Sequence, residues 1–388
     1  GRERVDARYN CHRPSYSTVF LLPRRNISDM IPYFKAFVKN FYEKQMLFLF
    51  LGHTVWKKTP AAKDRAANSC VRRAFSVTIP ILLLAAVLLT LIASYFTFRY
   101  TFYADRRRMD DPYVMLNTSP SVKIDAERVR SLVREIMTTP HEDVEIRSFD
   151  GLTLRGRYYP GKKGAPLAIL MHGYRSLGAR DFCGTFRIFP EMGYSILMPD
   201  ERAHGASEGH VISFGILERH DCLSWANYAH ERFGDDTDIV LMGLSMGAAT
   251  VLMASSLPLP ENVRCIIADS AYTSPRDIIA KVARDKHLPA RLLMPFVRIG
   301  AYMFGHFSLD DAAAEREIEK NTRPVFLLHG EGDFFVPSFM SRRLFRAAES
   351  EKQLLILPNN GHCASYIFNT ERYINAIEAF CRRFAEGK

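Results

Sequence analysis

Three side chains in this chain of 388 residues have the types and order that acyl transfer through a covalent intermediate requires. Ser245 sits in Gly243-Leu244-Ser245-Met246-Gly247, Asp333 in Glu331-Gly332-Asp333, and His362 in Asn359-Asn360-Gly361-His362. A serine hydroxyl is a poor nucleophile until a base takes its proton, so His362 is assigned as general base and then general acid. A carboxylate must hold the imidazole tautomer and stabilise the imidazolium, the role given to Asp333. The oxyanion that forms on the acyl carbon needs two N–H donors. The backbone N–H of Met246, directly after the serine, is one, and that of Tyr174 in His172-Gly173-Tyr174 is the other. The Tyr174 phenol is a further candidate donor.

These residues work only if the fold delivers each to the carboxyl end of a strand. Ile239-Val240-Leu241-Met242 is a short apolar run of the kind a buried parallel strand needs, and Ala248–Ala254 reads as a small-residue helix. Ser245 then occupies the sharp strand-to-helix turn, where Gly243 and Gly247 leave room for close helix–strand approach. Leu167–Met171 precedes Tyr174, Pro324–Leu328 precedes Asp333, and Gln353–Leu357 precedes His362. An opening hairpin is predicted to turn at Asp150-Gly151. Further elements are a helix around Phe182–Met192, a strand at Tyr194–Met198 and a helix near Ile216–Phe233. This alternation predicts an α/β fold with a mostly parallel sheet covered on both faces.

Rival assignments exist for each residue. The ordinary reading of Ser245 is a helix N-cap, which the presence of its partners disfavours. Asp269, which ends the strand Cys265–Ala268, is the alternative acid; Asp333 is favoured because its turn directly precedes the histidine-bearing strand. His172 and His329 sit in His-Gly turns and are expected to brace loops, as is His204 with Asp200 and Arg202. The seven cysteines show irregular spacing and no C-x-x-C, so neither a disulfide framework nor a metal site is expected, and no cofactor is implied. Residues 269–323 exceed one helix and are read as a cap, with Met294, Phe296, Tyr302, Met303 and Phe304 as candidate substrate-facing groups.

From about Glu142 onward the chain resembles an α/β-hydrolase of the serine aminopeptidase, monoacylglycerol-lipase-like and dienelactone-hydrolase-like branch. The resemblance rests on His172–Ser176, Pro199–Gly209, Gly243–Gly247, His329–Asp333 and Asn360–His362. The second motif usually reads D-x-R-G-x-G-x-S; Ala203 stands at its first glycine. The resemblance is to membrane-anchored bacterial members in particular, and it implies a serine hydrolase.

Upstream, Val77–Phe98 is a charge-free run of 22 residues, against the ~20 that span a bilayer. Residues 1–76 hold 15 Lys and Arg against 5 Asp and Glu, a net of +10 that equals the formal charge of the whole chain. The rest is therefore neutral, and nucleic-acid binding is not suggested. A basic arm beside a span fits a cytoplasmic tail with the remainder outside. Asp29–Leu51, where aromatics alternate with lysines, suits a membrane surface or a mobile tail. Ala126–Thr138 is expected to be an amphipathic helix with Val129, Leu132, Val133 and Ile136 on one side.

The sequence thus predicts a basic tail over 1–76, a span over 77–98, a juxtamembrane linker and helix over 99–141, and a catalytic domain over 142–388. The expected activity is cleavage of a small-molecule or lipid-like ester, thioester or amide through an acyl-enzyme. An aminopeptidase-like enzyme and a non-catalytic membrane scaffold are the alternatives.

Overall fold

The computed structural model describes residues 63–104, 126–358, 360–364, 366 and 370–385. The segment 29–51 and most of the basic tail lie outside the described residues. Among the described residues, those from Leu82 onward form one compact unit.

The first helix, α1, runs Lys63–Thr101 with Pro80 inside it. Its part Ser76–Thr101, 26 residues, is long and apolar enough to cross a membrane. The helix continues past the charge-free run through Arg99 to Thr101, and Leu82, Leu84, Leu88 and Leu89 are exposed. The amphipathic helix α2 spans Ala126–Thr138. Its Val129, Val133 and Ile136 are buried, Leu132 only partly.

The sheet has eight strands: β1 (Glu142–Arg147), β2 (Thr153–Tyr159), β3 (Leu167–Met171), β4 (Ser195–Pro199), β5 (Ile239–Leu244), β6 (Val263–Asp269), β7 (Val325–Gly330) and β8 (Lys352–Leu357). Their order is β1-β2-β4-β3-β5-β6-β7-β8. β1 and β2 form the antiparallel hairpin, β2 meets β4 antiparallel, and every later pairing is parallel. β3, β5 and β7 are buried along their whole length, which is why they read as continuous apolar runs rather than alternating ones. Apolar cores lie on both faces.

Between β3 and β4 the expected single helix is two short ones, α3 (Gly178–Asp181) and α4 (Ile188–Glu191). Gly184 lies between them, and a Cβ there would lie 2.1 Å from the Tyr366 ring. Next come α5 (Glu218–Phe233), α6 (Met246–Ala254), α7 (Pro275–Asp285), α8 (Ala290–Gly305) and α9 (Ala314–Ile318). The last two helices are α10 (Phe339–Ala347) and α11 (Thr370–Phe384).

The cap expectation is corrected in one respect. None of Met294, Phe296, Tyr302, Met303 and Phe304 lines the cavity at Ser245. α8 instead turns toward α1. The Phe304 ring packs on Tyr95 and Phe98, with centroids 5.4 and 5.7 Å away. A Cβ at Gly300 would lie 2.4 Å from the Ser94 carbonyl oxygen.

Candidate active site

Ser245 follows β5 and precedes α6 with φ 55° and ψ −110°. That backbone is left-handed and strained for a serine, at a cost of ~1–3 kcal/mol, and needs its surroundings to enforce it. The surroundings do so. The Ser245 N–H donates to the Asp269 carbonyl at 2.9 Å, tying the turn to β6. A Cβ on Gly243 would lie 2.2 Å from the Gly247 backbone, and one on Gly247 would lie 2.0 Å from the Met171 carbonyl oxygen. Only glycine lets helix and strands approach this closely.

Nε2 of His362 lies 2.8 Å from the Ser245 Oγ, and its Nδ1 lies 2.6 Å from Asp333 Oδ2. The other Asp333 oxygen accepts the N–H groups of Phe335 and Val336 at 2.9 and 2.8 Å. Burial pushes the Asp333 carboxyl up, but the His362 and His329 rings outweigh burial and hold it well below the usual carboxylate range. Burial likewise pushes His362 down, and the Asp333 charge outweighs it and holds the imidazole well above its ordinary value. Each partner stabilises the charge on the other.

The structure brings Asp333, rather than Asp269, to His362. Asp269 is buried on the same cavity wall, where it accepts from Tyr373 Oη and Ser270 Oγ, both at 2.9 Å. The other histidines brace loops. His172 accepts the Glu201 N–H and faces the Gly173 carbonyl. His329 lies 2.7 Å from both the Val336 carbonyl and the Ser341 hydroxyl. His204 faces the Arg202 carbonyl, as expected, but Asp200 instead accepts from the Ala206 N–H.

The turn after β3 presents one free amide between two engaged ones. The Gly173 N–H donates to Asp181 at 2.6 Å, and the Arg175 N–H donates to His204 Nε2 at 3.0 Å. Burial pushes His204 well below its usual value, so the ring is neutral and able to accept. The Tyr174 N–H has no acceptor among the described residues. Met246 opens α6, where a helix leaves its first N–H groups unpaired. The Tyr174 phenol, by contrast, is committed elsewhere: it donates to the Thr101 carbonyl at 2.7 Å.

A cavity of about 450 Å³ opens on Ser245 and His362. Its walls are apolar over most of their area, with Val129 of α2, Cys183, Leu244, Phe335, Ala364 and Tyr366, and carry Arg175, Arg180 and Asp181 on the side of the Tyr174 turn. Sequence reasoning missed most of these residues, because their neighbours in space are distant in the chain. The loop Pro199–Gly209 stands behind the site. There Arg202 forms a two-pronged pair with Asp221, 2.6 and 2.7 Å long, and also reaches Asp150 of the hairpin at 2.9 Å. Ala203 adopts φ 67° where the motif usually has glycine.

A strained serine at a strand-to-helix turn over an eight-stranded mixed sheet is the architecture of an α/β-hydrolase. The chain belongs to the alpha/beta hydrolase family, whose model matches residues 168–376. It is 24% identical over 236 residues to the Bacillus subtilis (strain 168) protein named "Uncharacterized protein YqkD", covering 61% of this chain and 77% of that one. It is 33% identical over 121 residues to the polyketide transferase af380 of Aspergillus fumigatus, covering 30% and 41%. Among solved structures it is similar in fold to the Pyrococcus furiosus esterase Pf2001, with a TM-score of 0.54 and 21% identity over 72% of this chain and 99% of that one.

Proposed function

We propose that the protein is a membrane-tethered serine hydrolase that cleaves an acyl ester or thioester through a covalent intermediate. The observation that carries this reading is one imidazole, His362, within hydrogen-bond reach of both Ser245 and Asp333. In this mechanism His362 Nε2 takes the proton of Ser245 Oγ as the oxygen attacks the acyl carbon. The N–H groups of Tyr174 and Met246 receive the oxyanion. Collapse expels the alcohol or thiol, which takes the proton from His362. Water, deprotonated by the same imidazole, then releases the acid and restores the serine.

The apolar walls suit an acyl chain, and Cys363 does not compete as nucleophile. Burial pushes its thiol up to about 11, so it stays protonated at neutral pH. Tethering is assigned to Ser76–Thr101, with the basic arm in the cytoplasm and the catalytic domain outside; the charge asymmetry of the chain supports that orientation.

A fluorophosphonate probe tests the chemistry. Wild-type protein is expected to label, and Ser245→Ala to stay dark; equal labelling of the two sinks the proposal. A panel of p-nitrophenyl esters beside aminoacyl anilides tests the bond cleaved, and turnover of anilides alone would favour a peptidase. For orientation, protease added to intact cells is expected to remove the catalytic domain.

A further inference from the structure

The end of α1 is built into the turn that carries Tyr174. A helix leaves its last carbonyls without N–H partners and concentrates partial negative charge there. The Phe102 N–H closes back on the Phe98 carbonyl at 2.8 Å. The next carbonyls are taken by the turn after β3. Arg175 Nη2 donates to the Tyr100 carbonyl at 2.9 Å and to the Tyr103 carbonyl at 3.0 Å. Tyr174 Oη donates to the Thr101 carbonyl. A guanidinium and a phenol from the active-site loop thus cap a helix more than seventy residues upstream.

The connection is rigid on both sides. Beyond the helix, Phe102–Ala104 pairs with the 210–212 backbone: Ile212 N–H donates to Phe102 at 2.8 Å, and Ala104 N–H to His210 at 2.9 Å. The buried Phe102 ring meets Phe307 and Phe214 edge-on, at 5.2 and 5.8 Å. Phe214 in turn stacks on Tyr174 at 4.8 Å. Arg175 itself sits at φ 52°, a left-handed backbone that a non-glycine residue keeps only where its contacts over-determine it. Those contacts are His204 at its amide, Arg180 Nη2 donating to its carbonyl at 2.8 Å, and the helix end at its guanidinium.

We propose that the C-terminal end of α1, acting through Arg175 and the Tyr174 phenol, positions the Tyr174 N–H to receive the oxyanion. The apolar helix is then a working part of the site as well as its tether. This rests on the acyl-enzyme reading above. Arg175 and the phenol are positioning groups here; both residues line the cavity, but the role assigned to them requires no contact with the substrate.

The test uses full-length protein in nanodiscs, with active sites counted by fluorophosphonate titration. Tyr174→Phe keeps the ring and the N–H but loses the bond to Thr101. Arg175→Gln removes the charge at the helix end, and Phe102→Ala loosens the junction from the helix side. Each is expected to lower kcat per titrated site by about 10- to 100-fold, less than the ~10²–10³ of removing an oxyanion donor outright. KM should stay within about twofold, while an alkylboronate that mimics the tetrahedral state binds more weakly by the same factor as the loss in kcat. Arg175→Lys, which restores a cation, should recover part of the rate. Unchanged kcat per site in all three variants overturns the proposal, as does a loss confined to the fraction of titratable sites. A wild-type protein that neither labels nor turns over esters overturns the acyl-enzyme reading itself, and the proposal with it.

Discussion

The Asp333 carboxylate lies 2.6 Å from Nδ1 of His362 while its second oxygen is held by two backbone amides. The acid is therefore fixed by contacts other than the imidazole, and its charge raises the imidazole pKa. Catalysis needs the neutral ring, so kcat/KM should rise with pH through a midpoint above the ordinary histidine value of 6.5. Asp333→Asn removes the charge that stabilises the imidazolium. The midpoint should then move to lower pH, while kcat falls by ~10⁴ because the tautomer is lost. A pH–rate profile of both proteins checks the direction; a midpoint that moves upward would contradict the pairing.

Gly247→Ala should fail through packing rather than chemistry. The added methyl would lie 2.0 Å from a backbone carbonyl of β3, which cannot swing aside as a side chain does. A loss of about 3 kcal/mol or more is expected, read as a lower midpoint in chemical denaturation.

Glu201 offers a pH test of stability that leaves Ser245 untouched. Both carboxyl oxygens are buried and lack a hydrogen-bond partner among the described residues. Burial first, then the charges of Glu218 and Asp221, push its pKa well above 4.5. The folded state therefore holds this proton more tightly than the unfolded chain does. The associated stability is complete below the unfolded value and is lost as pH rises toward the folded one. Glu201→Gln keeps the shape and cannot ionise. Its melting temperature relative to wild type should improve from pH 5 to pH 8; a constant difference would show that Glu201 does not titrate differently on folding.

Val129 should govern acyl-chain length. It reaches the cavity from α2, outside the predicted catalytic domain. Val129→Phe fills space that a long chain would use, and one methylene in an apolar pocket is worth about 10- to 200-fold. The octanoate-to-acetate ratio of kcat/KM for p-nitrophenyl esters should drop at least about tenfold. An unchanged ratio would place the acyl chain elsewhere.

The parts most legible in the sequence were those where local pattern and chemistry coincide. β5 and the turn at Ser245 announce themselves because a fully buried strand must be apolar and a close helix approach must use glycine. The hairpin at Asp150-Gly151 is equally local. What the sequence hid was decided by distant partners. Phe304 looks the same in a chain whether it faces substrate or Phe98, and nothing local shows that Gly184 must leave room for Tyr366, which arrives from the other end of the domain. The Tyr174 phenol had an obvious use near the oxyanion, yet the orphan carbonyl of Thr101 claimed it.

The ending of α1 also fixes an altitude. Its charge-free run Val77–Phe98, 22 residues, measures about 33 Å at ~1.5 Å each, against a hydrocarbon layer of ~30 Å. With α1 crossing a bilayer as proposed, the excess is about 3 Å, and the helix ends three residues later, at Thr101, beside the very loop that faces Ser245. The reactive centre would then ride at headgroup level on a stalk too short and too firmly bonded to sway. Such a site would select by depth: an acyl carbonyl at the lipid–water boundary would come within reach, while the same bond on a bulky body held far above the surface would not.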